Sequence, residues 1–302
     1  MDQALLVFIT VAEQKNFTRA AEMLHMTQPA VSHYIKDLEQ TMGTKLLERT
    51  NKYVRLNKAG EIVFYHAKEM LGLHTRMHSL VDDLLHTASG ELIIGASYTF
   101  GEYILPHVLA ELDRQYPLIK PTIKIGNTEK IAEWVADHQL DVGVVEGDLH
   151  HEKLFIEPFA EDLMYLIIST GHPLAQKSKI CVGDLSGEKW IVREKGSGTR
   201  EMQEKVFEAL HIQPSEILEF GSTQVIKESV EAGLGITLLS QWAVRKEILL
   251  GTLKRVCCQG LPFSRKFSWV TQNITFKTKV TEVFLDILGN KSGFPQFKAL
   301  EK

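Results

Sequence analysis

The stretch Asn16–Leu47, NFTRAAEMLHMTQPAVSHYIKDLEQTMGTKLL, constrains the fold more than any other part of the chain. Two short helical patterns lie so close together there that only a tight turn fits between them. The first runs from about Thr18 to Leu24, with Thr18 as the expected N-cap and Ala20 and Ala21 small enough for close helix contact. His25 and Met26 make the turn. Thr27 or Gln28 caps the second helix, and Pro29 falls in its first turn, where a missing N–H costs nothing. Val31, Ile35, Leu38 and Met42 recur at helical spacing and predict a buried stripe. Gln28, Pro29, Ser32, His33 and Lys36 lie opposite or beside it, side chains suited to base edges and phosphates in a major groove. An ordinary helical hairpin with a solvated face has the same pattern, so the flanking residues decide.

They favour DNA. Leu5, Phe8, Ile9 and Ala12 supply a third helical wall, and the extended runs on either side of Thr50-Asn51-Lys52 read as a β-wing. Lys45, Arg49, Lys52, Arg55 and Lys58 stand against the single acid Glu48, a concentration suited to phosphate backbones. Thr18 and Arg19 at the first helix start, with Arg49, Lys52 and Arg55 around the wing, are the expected backbone contacts. Phe8-x-x-Val11-Ala12, Asn16-Phe17-Thr18-x-Ala20-Ala21, Thr27-Gln28-Pro29-Ala30-Val31-Ser32, Ile35-x-x-Leu38-Glu39, Gly43-x-x-Leu46-Leu47-x-Arg49 and Leu56-x-x-Ala59-Gly60 follow one another in order. With these elements, residues 1–58 resemble the winged helix-turn-helix of LysR-type transcriptional regulators. One departure is Asn57, where that family usually has threonine; asparagine caps the next helix equally well.

Composition fits a chain in which only one module meets DNA. The formal charge of the 302 residues is −4, yet residues 1–60 carry eight Lys/Arg against six Asp/Glu. There is no apolar run near 18 residues and no signal-peptide pattern at Met1-Asp2-Gln3, so a cytoplasmic location is expected. Cys181 and the adjacent Cys257-Cys258 have no disulfide framework or zinc spacing; redox sensing at Cys257 and inert thiols both remain open.

A helix is predicted over 58–87, within a linker segment 59–88. Val63, His66, Met70, Leu73, Met77, Leu80 and Leu84 alternate three and four apart, a seam of period near 3.5. The seam suits either packing on its own domain or a partner helix. The resemblance implies a dimerisation linker, hence a homodimer on an inverted-repeat operator. It also implies a homotetramer, and it allows RNA polymerase as a partner.

From Gly90 strands and helices alternate. Glu91–Gly95, Pro121–Ile125 and Leu140–Val145 with a helix from Tyr103 and another over Glu129–His138 give a βαβαβ pattern, and Leu163–Ile168 opens a second run. Residues 89–302 therefore read as an α/β domain with lobe I about 90–161 and 268–292 and lobe II about 162–267. It resembles the two-lobe, periplasmic-binding-protein-like effector domain of the same family.

Ligands of open parallel sheets gather at the carboxyl ends of strands. Those ends carry Ser97, Tyr98 and Thr99, then Asn127 and Thr128, then Glu146, and Thr223 further on. Glu194-Lys195-Gly196-Ser197-Gly198-Thr199-Arg200 runs into a helix, so its N–H groups, hydroxyls and Arg200 make an expected anion cradle. The alternatives are a turn with an N-cap and an Arg200 paired with a glutamate. No cofactor or metal is expected, only a small effector, most simply an oxyanion, carboxylate or phosphorylated acid. His150-His151-Glu152 lacks helical zinc spacing, and neither a G-x-S-x-G elbow nor a Walker loop occurs, so no catalytic residues are assigned.

Overall fold

The computed structural model describes residues 3–49, 53–83, 88–177, 180–256, 258–273 and 277–295, in two compact units divided after residue 85. In the first unit, α1 (Gln3–Gln14), α2 (Phe17–Met23) and α3 (Gln28–Thr41) enclose a core of Val7, Phe8, Val11, Ala20, Val31 and Ile35. The cap of α2 is Asn16, not Thr18: Asn16 Oδ1 accepts the N–H groups of Thr18 (2.9 Å) and Arg19 (3.1 Å). Thr27 caps α3. Met42, expected in the buried stripe, is the C-cap of α3 and is exposed, because the helix stops one residue short of it.

β1 (Leu47–Arg49) and β2 (Val54–Leu56) pair antiparallel as the wing, with Leu47 opposite Leu56. The turn Thr50-Asn51-Lys52, and the side chain of Arg49, lie outside the described residues. The wing is tied to α3 by Glu39. Its buried carboxylate accepts the N–H groups of Leu46 (3.0 Å) and Leu47 (3.4 Å), and Lys45 Nζ sits 2.8 Å away. Burial opposes its charge, but these donors outweigh burial and hold the Glu39 carboxyl below its ordinary value.

Asn57 accepts the N–H of Gly60 (2.8 Å) at the start of α4 (Lys58–Asp83). Val63, Phe64, Ala67 and Leu71 turn onto the unit's own core, and Lys68 reaches Glu13 (2.7 Å). Part of the expected seam is thus used internally by Val63. Met70, Leu73 and Met77 of the seam, with Ile62 and Val81, are exposed, and Leu84 lies outside the described residues.

The second unit opens with β3 (Gly90–Ser97), α5 (Tyr98–Tyr103), α6 (Leu105–Gln115), β4 (Ile119–Gly126), α7 (Thr128–Ala136) and β5 (Val142–Glu146). Strands β4, β3 and β5 are parallel neighbours in that order. The helix expected from Tyr103 is α6, which starts at Leu105 with Pro106 in its first turn; the short α5 before it, ending at Tyr103, was not expected. Then come β6 (Leu154–Ser169), β7 (Lys189–Arg193), α8 (Gly198–Ala209), β8 (Glu216–Phe220) and α9 (Thr223–Glu231). The unit closes with β9 (Thr237–Ser240), α10 (Gln241–Leu250), β10 (Leu253–Val256), β11 (Phe263–Gln272) and α11 (Lys279–Gly289).

The apolar packing divides between two lobes. One packs β3 and β5 with α6 and α11 around Phe100, Phe267 and Phe284; the other packs β6, β7 and β9 with α8 around Met164, Trp190 and Val206. The 16-residue β6 and the antiparallel β11 run through both, paired from Leu154–Gln272 to Met164–Phe263. A lobe boundary at 161/162 therefore falls inside one continuous strand.

Replacing Glu39 by alanine leaves two wing N–H groups and Lys45 without their acceptor. The first unit should lose about 1–3 kcal/mol in chemical denaturation. Because the folded carboxyl is held low, its contribution is present above the ordinary glutamate pKa of 4.5 and is lost as pH falls through the lowered value. An unchanged midpoint at neutral pH would show that the wing is held otherwise.

Candidate DNA-reading surface and effector cleft

Capping and helical periodicity together present the outer face of α3. With Val31, Ile35 and Leu38 buried, Thr27, Gln28, Pro29, His33 and Lys36 are exposed and Ser32 is half-buried. Gln28 Nε2 donates to Ser32 Oγ (2.9 Å), and His33 Nε2 lies 3.3 Å from Asp37. Thr27 is occupied as a cap, its Oγ1 accepting from Ala30 N at 3.4 Å. Thr18 and Arg19 are exposed at the start of α2. Arg55 is exposed on the wing but bonded by its Nε to Glu48 (2.6 Å) across β1 and β2, so a phosphate there would compete with a carboxylate.

The twelve expected effector residues do not form one cradle. Six gather in a buried polar cluster between the lobes. Arg265 of β11 organises it: Nε donates to Asp162 (2.8 Å), Nη1 to Thr199 Oγ1 (2.9 Å) and Nη2 to Thr99 Oγ1 (3.1 Å). Ser97 Oγ donates to Glu146, whose other oxygen lies 3.8 Å from Arg265 Nη1. Asp162 also accepts from Ser240 Oγ (2.6 Å). Arg193, the last residue of β7, donates to Thr223 Oγ1 (3.1 Å) and lies 4.5 Å from the centre of the Tyr98 ring. Gln203 Oε1 accepts its backbone N–H (3.1 Å). The side chains of Arg193, Arg265, Asp162 and Glu146 are all at most 1% exposed.

The others stand apart. Gly196, Ser197, Gly198, Thr128 and Arg200 line a groove of about 870 Å³ together with Glu129, Glu133, Asp148, Glu201 and Glu204. Lys195, His150 and His151 line it too, but five carboxylates against Lys195 and Arg200 leave the rim net negative, which disfavours an anion. Arg200 does not deliver its charge to the cluster. Thr199 and Gln203 take the inward face of α8, which turns Arg200 to Glu204 (2.7 Å), Glu219 (2.8 Å) and the Arg193 carbonyl (2.9 Å). Ser197 Oγ is spent on the Thr199 N–H (3.2 Å) as the cap of α8. Gly198 is needed for approach rather than for a nest: a Cβ there would overlap the Glu146 carbonyl of the facing lobe, to which Thr128 Oγ1 also donates (3.0 Å). Asn127 caps α7 and donates Nδ2 to Glu194 (3.4 Å), joining the two groups of residues.

Burial, only partly offset by Arg265 and Arg193, pushes the Glu146 carboxyl above its ordinary value. Arg193, Arg265, Asp162, Gln203 and Ser240 are not among the residues expected from the sequence. Each is a polar residue in or next to an apolar strand or on a helix's buried face, which was the available signal.

Two outcomes follow. Arg265→Met would leave Asp162 and Glu146 buried without their cation, and should destabilise the second unit by about 3–5 kcal/mol in denaturant titrations; wild-type stability would contradict the pin. A carboxyl raised in the folded state stabilises most below its ordinary pKa of 4.5, and that share is lost as pH rises through the raised value. Glu146→Gln should therefore flatten the pH dependence of the melting temperature between those limits, and parallel curves would exclude Glu146 as its source.

Known proteins resemble the chain at both ends. The model of the bacterial regulatory helix-turn-helix protein, lysR family, matches residues 3–61, and that of the LysR substrate binding domain matches residues 86–292. The HTH-type transcriptional regulator CysL of Bacillus subtilis is 39% identical, over 94% of this chain and 95% of its own length. The regulatory domain of CcmR from Synechocystis PCC6803, solved in complex with 2-PG, is 29% identical with a TM-score of 0.62, covering 67% of this chain and 97% of that one. Full-length CbnR, solved with its target DNA, shares the fold along 97% of this chain and 100% of its own (TM-score 0.72, 19% identity). These are transcriptional regulators, not enzymes, and the effector-binding module follows the DNA-binding head. The chain belongs to the LysR family of transcriptional regulators.

Proposed function

We propose that a small anion, held between the lobes of the second unit, sets how this regulator engages DNA. The observation that carries this reading is the convergence of two buried guanidiniums, Arg193 and Arg265, with the hydroxyls of Thr99, Thr199 and Thr223. A buried cation that already holds hydroxyl donors and acceptors on both lobes is suited to an oxyanion, a carboxylate or a phosphorylated acid. The 2-PG held by the CcmR regulatory domain is such an acid and supports the same class here. Ser97, Tyr98, Thr99, Glu146, Thr199 and Thr223 then belong to the site. Asn127 is at its edge, and Thr128, Gly196, Ser197 and Gly198 maintain the approach of the lobes. An anion that binds one lobe arrangement better than another shifts the population toward it, and that difference is what reaches DNA.

At the other end, α3 enters the major groove with Gln28, Pro29, Ser32, His33 and Lys36, while Thr18, Arg19 and the wing hold phosphates. The exposed Met70, Leu73 and Met77 of α4 support pairing of two copies through 59–88, giving two recognition helices for an inverted-repeat operator. Tetramer assembly and a cytoplasmic location are part of the same reading.

For the effector, the full-length protein would be melted at fixed ionic strength with sulfate, inorganic phosphate or 2-phosphoglycolate. An anion at 100 times its Kd should stabilise the folded unit by about 2.7 kcal/mol, a rise of several degrees. No saturable shift with any of them would overturn the anionic class. For DNA, Ser32→Ala combined with His33→Ala should relax discrimination by about 1–3 kcal/mol per lost base contact. Arg19→Ala should instead weaken all sequences alike and lower the salt slope by about one. Unchanged selectivity in the double variant would move base reading elsewhere.

A further inference from the structure

The two buried guanidiniums are not equivalent. Asp162, the counter-ion of Arg265, is fully buried in the middle of β6, directly opposite Arg265 in the strand register, and fixed by Ser240 as well. It cannot leave without breaking the sheet. Arg193 is paired with the residue that follows it: its Nε donates to Glu194 Oε2 (2.7 Å) and its Nη2 to Glu194 Oε1 (2.8 Å), a two-pronged pair. Glu194 has left the strand. Its side chain is 25% exposed, and the loop continues through Gly196, whose positive φ of 80° gives the backbone a turn that other residues resist.

The Glu194 carboxylate also accepts from Asn127 of the facing lobe (3.4 Å). A single carboxylate thus sits on the guanidinium of one lobe while touching the helix cap of the other. That is the position and chemistry of a bridging anionic ligand, supplied here by the chain itself. We propose that Glu194 is a tethered internal ligand of Arg193, which the anionic group of the effector displaces on binding.

This rests on the anionic-effector reading and adds the identity of the group exchanged. The exchange conserves the two hydrogen bonds of Arg193, replacing one bidentate acceptor by another, while Glu194 gains solvent at the loop. It also sets a threshold: a weak or single-pronged acceptor does not compete with a carboxylate held in place by its own chain, whereas a phosphoryl group or a well-placed carboxylate does. Thr223, which donates no competing charge, keeps its contact with Arg193 in either state.

The test uses the full-length protein and isothermal titration with inorganic phosphate, sulfate and 2-phosphoglycolate, comparing wild type with Glu194→Gln and Glu194→Ala. With the internal competitor removed, whichever probe binds wild type should bind both variants about tenfold more tightly. The unliganded variants should melt below wild type, since Arg193 has lost its partner, and recover the difference when the probe is added. Arg193→Gln should abolish binding of the same probe. Equal or weaker affinity in a folded Glu194→Gln or Glu194→Ala protein, with wild type still binding, overturns the exchange and leaves the anionic-effector reading standing. Failure of all three probes with every protein overturns both. If one substitution prevents folding, the other and the Arg193→Gln titration carry the comparison.

Discussion

Arg265 is the residue on which the second unit turns. It lies where β6 and β11 pass from one lobe to the other, facing Asp162 across the strand pair, and its remaining donors reach Thr99 on one lobe and Thr199 on the other. A guanidinium so deeply buried must have its charge matched and its N–H groups occupied, or it costs several kcal/mol. The requirement is met only when α5 and α8 both stand close to the crossing strands. Polar geometry at the junction therefore helps to set the lobes, together with apolar contacts that also cross it: Trp242 packs in the core of the first lobe, and Tyr103 packs against a core of the second.

The same junction is closed by backbone contact. Gly198 meets the Glu146 carbonyl, Glu129 N–H donates to the Gly196 carbonyl (3.2 Å), and Lys205 spans to Asp148 (2.6 Å). With the lobes already this close, an effector enters by substituting for something. The least costly substitution is at Arg193, whose counter-ion is local, partly exposed and on a loop. Fixed charge at Arg265 and exchangeable charge at Arg193 give one site both a scaffold and a contact that a ligand can take over.

What was legible in the sequence was what is local. Helix spacing, the Thr27-Gln28-Pro29 start of α3 and the alternation of strands and helices all operate within a few residues, and they placed the helix-turn-helix, the parallel strands of the first lobe and the start of the second. The Thr18 cap failed by two residues because Asn16 offers the same chemistry just upstream. Arg200, expected beside the glycine-rich loop's ligand, is carried by helical rotation to Glu204 and Glu219, the glutamate pairing that the sequence equally allowed. The core of the cluster was hidden for another reason. Asp162 and Arg265 are separated by 103 residues, and a charged residue inside a strand breaks the apolar pattern by which strands are recognised. The same effect concealed the first half of β6, where Glu157-Pro158 and Glu161-Asp162 interrupt the run. Arg193 was missed by a single position, at the end of β7 beside Glu194.

The lobes meet around an anion-accepting guanidinium, and in the proposed exchange its resident carboxylate gives way. The most direct measurement is a crystal structure of the full-length protein grown with saturating 2-phosphoglycolate. If the exchange operates, the anion's oxygens lie on Arg193 and the neighbouring hydroxyls, with Glu194 turned out toward solvent. An intact Arg193–Glu194 pair in a crystal whose ligand is bound elsewhere, or not bound at all, would contradict it.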